Sequence, residues 1–190
     1  GPGNVPAFIE KTANIPKAVN RIMISKTFDN GTICASEQAV ITEASIEHKV
    51  RAEFIKQGGY FATEEEALKL AKTIQNSWGG LNSKIVGQSA EKIAAMADIK
   101  VPLNTRVILC QEKGVGKEYP FSMEKLSPIL AFYTKNDWRE ACELCIKLLD
   151  YGGLGHSLVI HSENEEIIRE FALKKPVFRI MVNTPSSHGA

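Results

Sequence analysis

The chain of 190 residues has little of several things that would narrow its class at once. Its four cysteines have no short regular spacing, so they do not read as a disulfide framework and fit the reduced thiols of a cytoplasmic protein. Charge of one sign is not in excess: 23 Lys and Arg stand against 22 Asp and Glu, which leaves no basic footprint for nucleic acid. No run of about 18 apolar residues occurs, so no segment reads as a membrane-spanning helix. The start Gly1-Pro2-Gly3-Asn4 lacks the basic and apolar blocks of a secretory signal, and it lacks Met, as a processed or excised chain would. Internal repeats, low-complexity tracts and any Gly-x-Gly-x-x-Gly after a strand are also missing. What remains is 44% hydrophobic and 24% charged, the composition of one globular domain with a real core.

Helical and strand periods alternate along the chain, with Gly or Pro at most boundaries. Asn14 caps a predicted helix in which Ala18, Val19, Ile22 and Met23 share a face, ending near Phe28-Asp29-Asn30-Gly31. The run Ala39 to Thr42 reads as a strand. Ser45 precedes Ile46, Val50, Phe54 and Ile55, spaced for one helical face and closed by Gly58-Gly59. Thr63 and Glu66 make a capping box for a helix carrying Leu70, Ile74 and Trp78, stopped by Gly79-Gly80. Lys84 to Gly87 reads as a short extended piece and Ser89 to Asp98 as a helix. Strands are expected at Arg106 to Cys110, Ile129 to Tyr133, Ser157 to Ile160 and Val177 to Val182, and helices from Asp137 to Tyr151 and from Asn164 through Phe171. Apolar strands separated by helices imply a mostly parallel sheet covered on both faces. The expected fold is therefore one α/β domain, a three-layer αβα sandwich over residues 1–190.

Cys34 lies in the connection between the first helix and the strand at Ala39, where loops carry function on a rigid scaffold. An ordinary thiol is only a few per cent ionised at pH 7, yet sulfur is nucleophilic enough that modest activation suffices. Taken alone, a free cysteine is more often a small packing residue. Its neighbours point elsewhere. The string Ser25-Lys26-Thr27-Phe28-Asp29-Asn30-Gly31-Thr32-Ile33-Cys34-Ala35-Ser36-Glu37-Gln38 closely resembles the active-site segment of CoA-acylating aldehyde dehydrogenases, including the aldehyde half of bifunctional aldehyde-alcohol dehydrogenases. Gly1-Pro2-Gly3-Asn4-Val5-Pro6 resembles the glycine-rich lead into that region, and Glu124-Lys125-Leu126-Ser127-Pro128 the element that meets the nicotinamide riboside. Gly153-Leu154-Gly155-His156-Ser157 and Arg179 through Ser187 resemble the late part of the same catalytic domain. The order of the blocks across the whole chain is more specific than any one of them.

The resemblance implies a catalytic domain whose dinucleotide-binding domain and oligomerisation flap lie outside this segment, in a parent that forms a homo-oligomer. It implies that Cys34 attacks a short aldehyde, that a hydride passes to NAD or NADP, and that coenzyme A takes the acyl group, reversibly. By the same match Glu124 accepts the ribose hydroxyls, Leu126 packs near the nicotinamide, and His156 and Asn183 lie near substrate. The oxyanion hole combines the backbone N–H of Cys34 with an amide from the other domain, so the segment alone is expected to have little or no activity. The alternative is a catalytically silent assembly or binding domain that merely retains Cys34.

Other features read as structure. Cys142 and Cys145 fall within a helix among Ala141, Leu144, Leu148 and Leu149, where packing is the better reading. Gly114-Val115-Gly116-Lys117 is followed by Glu118 rather than Ser or Thr, so it is no phosphate loop. His156 and His161 point to opposite faces of a strand and His48 and His188 have no ligand partners nearby, so no metal is expected. Glu64-Glu65-Glu66 suits a helix start.

Overall fold

In the computed structural model, which describes residues 3–152, 155–174 and 177–189, seven strands form a single sheet. They are β1 (Val5–Ile9), β2 (Glu37–Glu43), β3 (Gly59–Phe61), β4 (Val107–Gln111), β5 (Ile129–Lys135), β6 (Gly155–His161) and β7 (Val177–Val182). The spatial order is β3-β4-β5-β2-β1-β6-β7, and each neighbouring pair runs parallel. This is the α/β sandwich expected from the alternation of elements.

Both faces of the sheet are covered. Helix α1 (Ile15–Thr27) and helix α2 (Glu47–Lys56) bury Val19, Ile22, Met23, Val50 and Phe54 against Val40, Leu109 and Phe132 on one face. Helices α3 (Glu64–Ile74), α4 (Ala90–Met96), α5 (Trp138–Gly152) and α6 (Glu165–Leu173) bury Leu70, Ile93, Leu148 and Phe171 on the other, against Phe8, Ile41, Ile108 and Ile160. Connections that move toward β3 carry their helices on the first face and those that move toward β7 on the second. A uniform crossover hand requires that division.

The capping residues act as their types predict. Asn14 accepts the N–H of Lys17, Ser89 that of Lys92, Asn164 those of Glu166 and Ile167, and Thr63 with Glu66 forms a reciprocal capping box. Three expectations fail. Residues Lys84 to Gly87 do not form an extended piece: a 3-10 turn spans Ser83–Ile85, capped by Asn82. Helix α3 stops at Ile74, short of Trp78, because Asn76 turns the chain by accepting the N–H groups of Trp78 and Gly80. Strands β1 and β3 also exist where none was expected, the first carrying Pro6 and the second opening on Gly59. Proline lacks an N–H and glycine lacks a side chain, so neither advertises a strand.

The central position of β1 makes Pro6 consequential. Pairing of β1 with β2 slips at this point: Val5 lies opposite Glu37 and Pro6 opposite Ala39, which leaves Gln38 without a β1 partner. An extra residue on one strand at the place where the other has no N–H to donate is a local solution to an unpaired ladder.

Burial ranks the aromatic residues differently from helical spacing. Phe54 is fully buried and meets Phe61 and Phe132 edge-on at 6.4 Å each, while Trp78 is 92% exposed. Phe54→Ala is expected to lower unfolding free energy by about 3–5 kcal/mol, the usual cost of a large core truncation. Trp78→Ala should stay within about 0.5 kcal/mol. Urea midpoints of the two variants against the parent chain check both.

Candidate functional site

Cys34 sits on a turn leading into β2, at the edge of the sheet where all strands begin. Past α1 the chain enters the left-handed region three times in succession, at Asp29 (φ 50°), Asn30 (φ 52°) and Gly31 (φ 74°). Asp, Asn and Gly are the residues that tolerate this conformation. Thr32 locks the turn by donating its hydroxyl to the Asp29 carbonyl at 2.9 Å and the Asp29 carboxylate at 2.8 Å. Asn30 ties it outward to the Gly87 carbonyl at 2.9 Å. Ser36 then donates its N–H to the Ile33 carbonyl at 2.9 Å, closing a tight turn with Cys34 and Ala35 at its corner. The thiol is half-buried, and the N–H of Cys34 donates to no protein group among the described residues.

The segment 124–128, which enters β5, packs directly against this loop. Gly31 is the point of contact: a Cβ there would lie 2.8 Å from the carbonyl oxygen of Ser127. No side chain fits, and φ alone already favours glycine. Glu124 is half-buried and accepts the N–H of Gly3 at 2.8 Å; burial raises its pKa, while that N–H and nearby Lys26 work against the rise. Leu126 follows at φ 44°, a strained conformation for a bulky residue. Cys34, Glu124 and Leu126 therefore share one edge of the sheet, on two loops in van der Waals contact.

His156 is the second residue of β6, on this same edge, and its side chain is outside the described residues, as are Gly1-Pro2 and Gly153-Leu154 of the family-like blocks. Asn183 lies at the opposite edge. It follows β7, turns the chain at φ 51°, and its amide both accepts the N–H and donates to the C=O of Ser162, at 2.9 Å each. The chain then doubles back, so that Ser186 and Ser187 return to the edge that carries Cys34.

Sequence reading assigned no role to four buried polar residues that knit this edge together. At the Pro6 irregularity, Glu37 and Gln38 both reach toward α1, although adjacent strand residues normally point to opposite faces. Glu37 accepts the N–H of Ser186 at 3.2 Å. Gln38 accepts the N–H of Lys125 at 2.9 Å and the ammonium of Lys26 at 3.4 Å through the same oxygen. Lys125 in turn donates its ammonium to the carbonyls of Phe121 and Met123 at 2.6 and 2.7 Å. Burial drives the titrations: Glu37 is pushed up to about 7, opposed by hydrogen bonds from Ser25 and Ser186, and Lys125 is pushed down to about 7. Lys26 is also held well below its ordinary value by burial and by Lys125. Helical spacing already marks Lys26, which follows Ile22 by four and Met23 by three on the buried stripe of α1. Nothing comparable marks Lys125.

The other cysteines are enclosed: Cys110 and Cys145 are fully buried and Cys142 is 4% exposed, and burial raises the Cys110 thiol far above its ordinary range. At the far edge Glu10 accepts the N–H of Thr12 at 3.1 Å and the hydroxyl of Ser162 at 2.5 Å, so the crevice between β1 and β6 is filled from within. Among the described residues no cluster of three or more His, Cys, Asp or Glu is placed to hold a metal, and no helix is long and apolar enough to cross a membrane.

No family model matches the chain. Individual relatives do. It is 44% identical over its whole length to an aldehyde-alcohol dehydrogenase of Clostridium acetobutylicum, of which it covers 22%. The crystal structure of an acetylating aldehyde dehydrogenase from Geobacillus thermoglucosidasius superposes with a TM-score of 0.97 at 53% identity, over 100% of this chain and 42% of that one. A Rhodopseudomonas palustris propionaldehyde dehydrogenase with bound propionyl-CoA matches at a TM-score of 0.90 and 28% identity, over 100% of this chain and 41% of that one. Over its whole length the chain is homologous to acylating aldehyde dehydrogenases, and it corresponds to less than half the length of each of these relatives.

A carboxyl held above its unfolded pKa stabilises the fold only while protonated. That contribution is complete below about 4.5 and is lost as pH rises through about 7. Relative to Glu37→Gln, which keeps Lys26 and Ser25 beside the group, the parent chain should therefore lose stability between about pH 5 and 8. Urea titrations of both across this range read the difference; a difference flat with pH contradicts the assignment.

Proposed function

We propose that the chain is the acyl-carrying catalytic domain of a longer enzyme that converts a short aldehyde, coenzyme A and NAD or NADP to acyl-CoA and reduced cofactor, with Cys34 as nucleophile. The observation that carries this reading is the contact between the Cys34 turn and the Glu124 segment, made through Gly31 and Ser127. It packs the loop that carries Cys34 against the segment that carries Leu126 and Glu124, whose half-buried carboxylate suits ribose hydroxyls.

The Cys34 thiolate bonds to the aldehyde carbon, and the carbonyl oxygen becomes an oxyanion that the Cys34 N–H is free to meet. The nicotinamide cofactor supplies the hydride acceptor when bound, and loss of hydride from that carbon leaves a thioester on Cys34. The coenzyme A thiol, deprotonated, then adds to the thioester carbon; the new carbon–sulfur bond replaces the old and Cys34 leaves as thiolate. His156 and Asn183 are the further candidates near substrate: His156 begins β6 on the reactive edge, whereas Asn183 would act through the segment that it turns back toward that edge. Relatives with longer chains support a dinucleotide-binding domain and an oligomerisation flap elsewhere in the parent, which would supply the rest of the cofactor site and the second oxyanion donor. The free thiols of Cys34 and Cys110 fit a reducing, cytoplasmic setting.

In the folded chain iodoacetamide should modify Cys34 at least tenfold faster than Cys110, Cys142 or Cys145, because only the thiolate of an accessible cysteine reacts. Peptide mass mapping over a time course checks it. In the full-length enzyme Cys34→Ser should remove the NAD-linked activity.

A further inference from the structure

The reactive edge contains a contact that the reaction itself does not call for. Gln38 is fully buried, belongs to neither loop, and its single side-chain oxygen receives the backbone N–H of Lys125 at 2.9 Å and the Lys26 ammonium at 3.4 Å. The residue after Lys125 is Leu126, whose left-handed φ of 44° must be held by its surroundings. Three restraints hold it. One is the Gln38 acceptor on Lys125, another the Lys125 ammonium on the Phe121 and Met123 carbonyls, and the last the close approach of Gly31 to Ser127. Glu124 lies inside this set, between the Met123 carbonyl and the Lys125 N–H. Its backbone is thus clamped on both sides while its carboxylate remains half-buried at the edge.

We propose that Gln38 is a positioning residue: by fixing the N–H of Lys125 it sets the Glu124 carboxylate and the Leu126 side chain for the nicotinamide riboside, without touching cofactor or substrate. This rests on the function proposed above for Glu124. The side-chain nitrogen of Gln38 has no hydrogen-bond partner among the described residues. Only the acceptor is needed, so glutamate, which offers acceptors alone and faces Lys26 and the Lys125 N–H, retains the function. An apolar residue of similar length does not.

The test is steady-state kinetics of the full-length enzyme carrying Gln38→Met or Gln38→Glu, with Cys34→Ala as reference. Gln38→Met should raise the KM for NAD about tenfold, equivalent to about 1.4 kcal/mol, with kcat within about threefold and the rate of Cys34 alkylation unchanged. Gln38→Glu should restore the KM to near the parent value. Each is assayed well below its own unfolding midpoint, and Lys125→Met, which removes the other restraint on the same segment, should raise the NAD KM in the same way if Gln38→Met does not fold. An unchanged NAD KM in Gln38→Met, or in Lys125→Met where it stands in, overturns the proposal. So does a fall of kcat, alkylation rate and thermal midpoint together in both Gln38 variants, which marks plain structural support. Activity surviving in Cys34→Ala is a different failure: it removes the nucleophile assignment, and the positioning role with it.

Discussion

Pro6 occupies a central strand of a parallel sheet without an amide hydrogen to offer its neighbours, and the way β2 accommodates it organises the edge that carries Cys34. Pairing slips by one residue, Gln38 is left opposite nothing, and Glu37 and Gln38 both reach the α1 side. Without that slip, alternation would send one of the two into the apolar layer behind the sheet. With it, one acceptor oxygen meets Lys26 and the segment before β5, and one carboxylate meets the returning C-terminal segment at Ser186. Cys34, three residues upstream of Glu37, is carried on the loop that these contacts anchor.

Parallel α/β sheets usually bind ligands beyond the carboxyl ends of their strands, at the point where strand order reverses. One of the two such points here, between β1 and β6, is closed by Glu10 and its bonds to Thr12 and Ser162. His161 next to it is fully enclosed, and burial, with Arg21 nearby, holds its pKa down at about 3, so it stays neutral. The carboxyl edge also buries Glu10 and turns at Asn183 with φ 51°, but the buried lysines and the bulky left-handed residue are at the amino edge. There the chain spends strained backbone at Asp29, Asn30 and Leu126 and buries two lysines and a glutamate. Strain and costly burial of this kind persist where surrounding contacts over-determine them, and such positions cluster at functional sites.

Much of the fold was legible because it depends on local chemistry. Asn14, Thr63, Ser89 and Asn164 mark helix starts by hydrogen bonds that each makes within three residues, and apolar spacing identifies the buried stripes of α1, α3 and α5. Strands β1 and β3 were not legible, since their central place depends on partners far away in the chain and their own residues include Pro6 and Gly59. The site divides in the same way. Cys34 and Glu124 could be picked out through family resemblance, whereas the polar lattice between them joins residues up to 149 positions apart and has no local signature. Trp78 shows the reverse error: correct helical spacing, but Asn76 ends the regular backbone before the tryptophan is reached.

Acyl transfer between coenzyme A and Cys34, the step at the centre of the proposed reaction, needs no nicotinamide. Incubating the full-length enzyme with an acyl-CoA, quenching in acid and mapping peptides by mass reads it directly. The predicted result is one acyl group on the peptide containing Cys34, with release of free coenzyme A in equal amount and no adduct on Cys110, Cys142 or Cys145. An unmodified Cys34, or acylation spread evenly over the four thiols, would contradict the account.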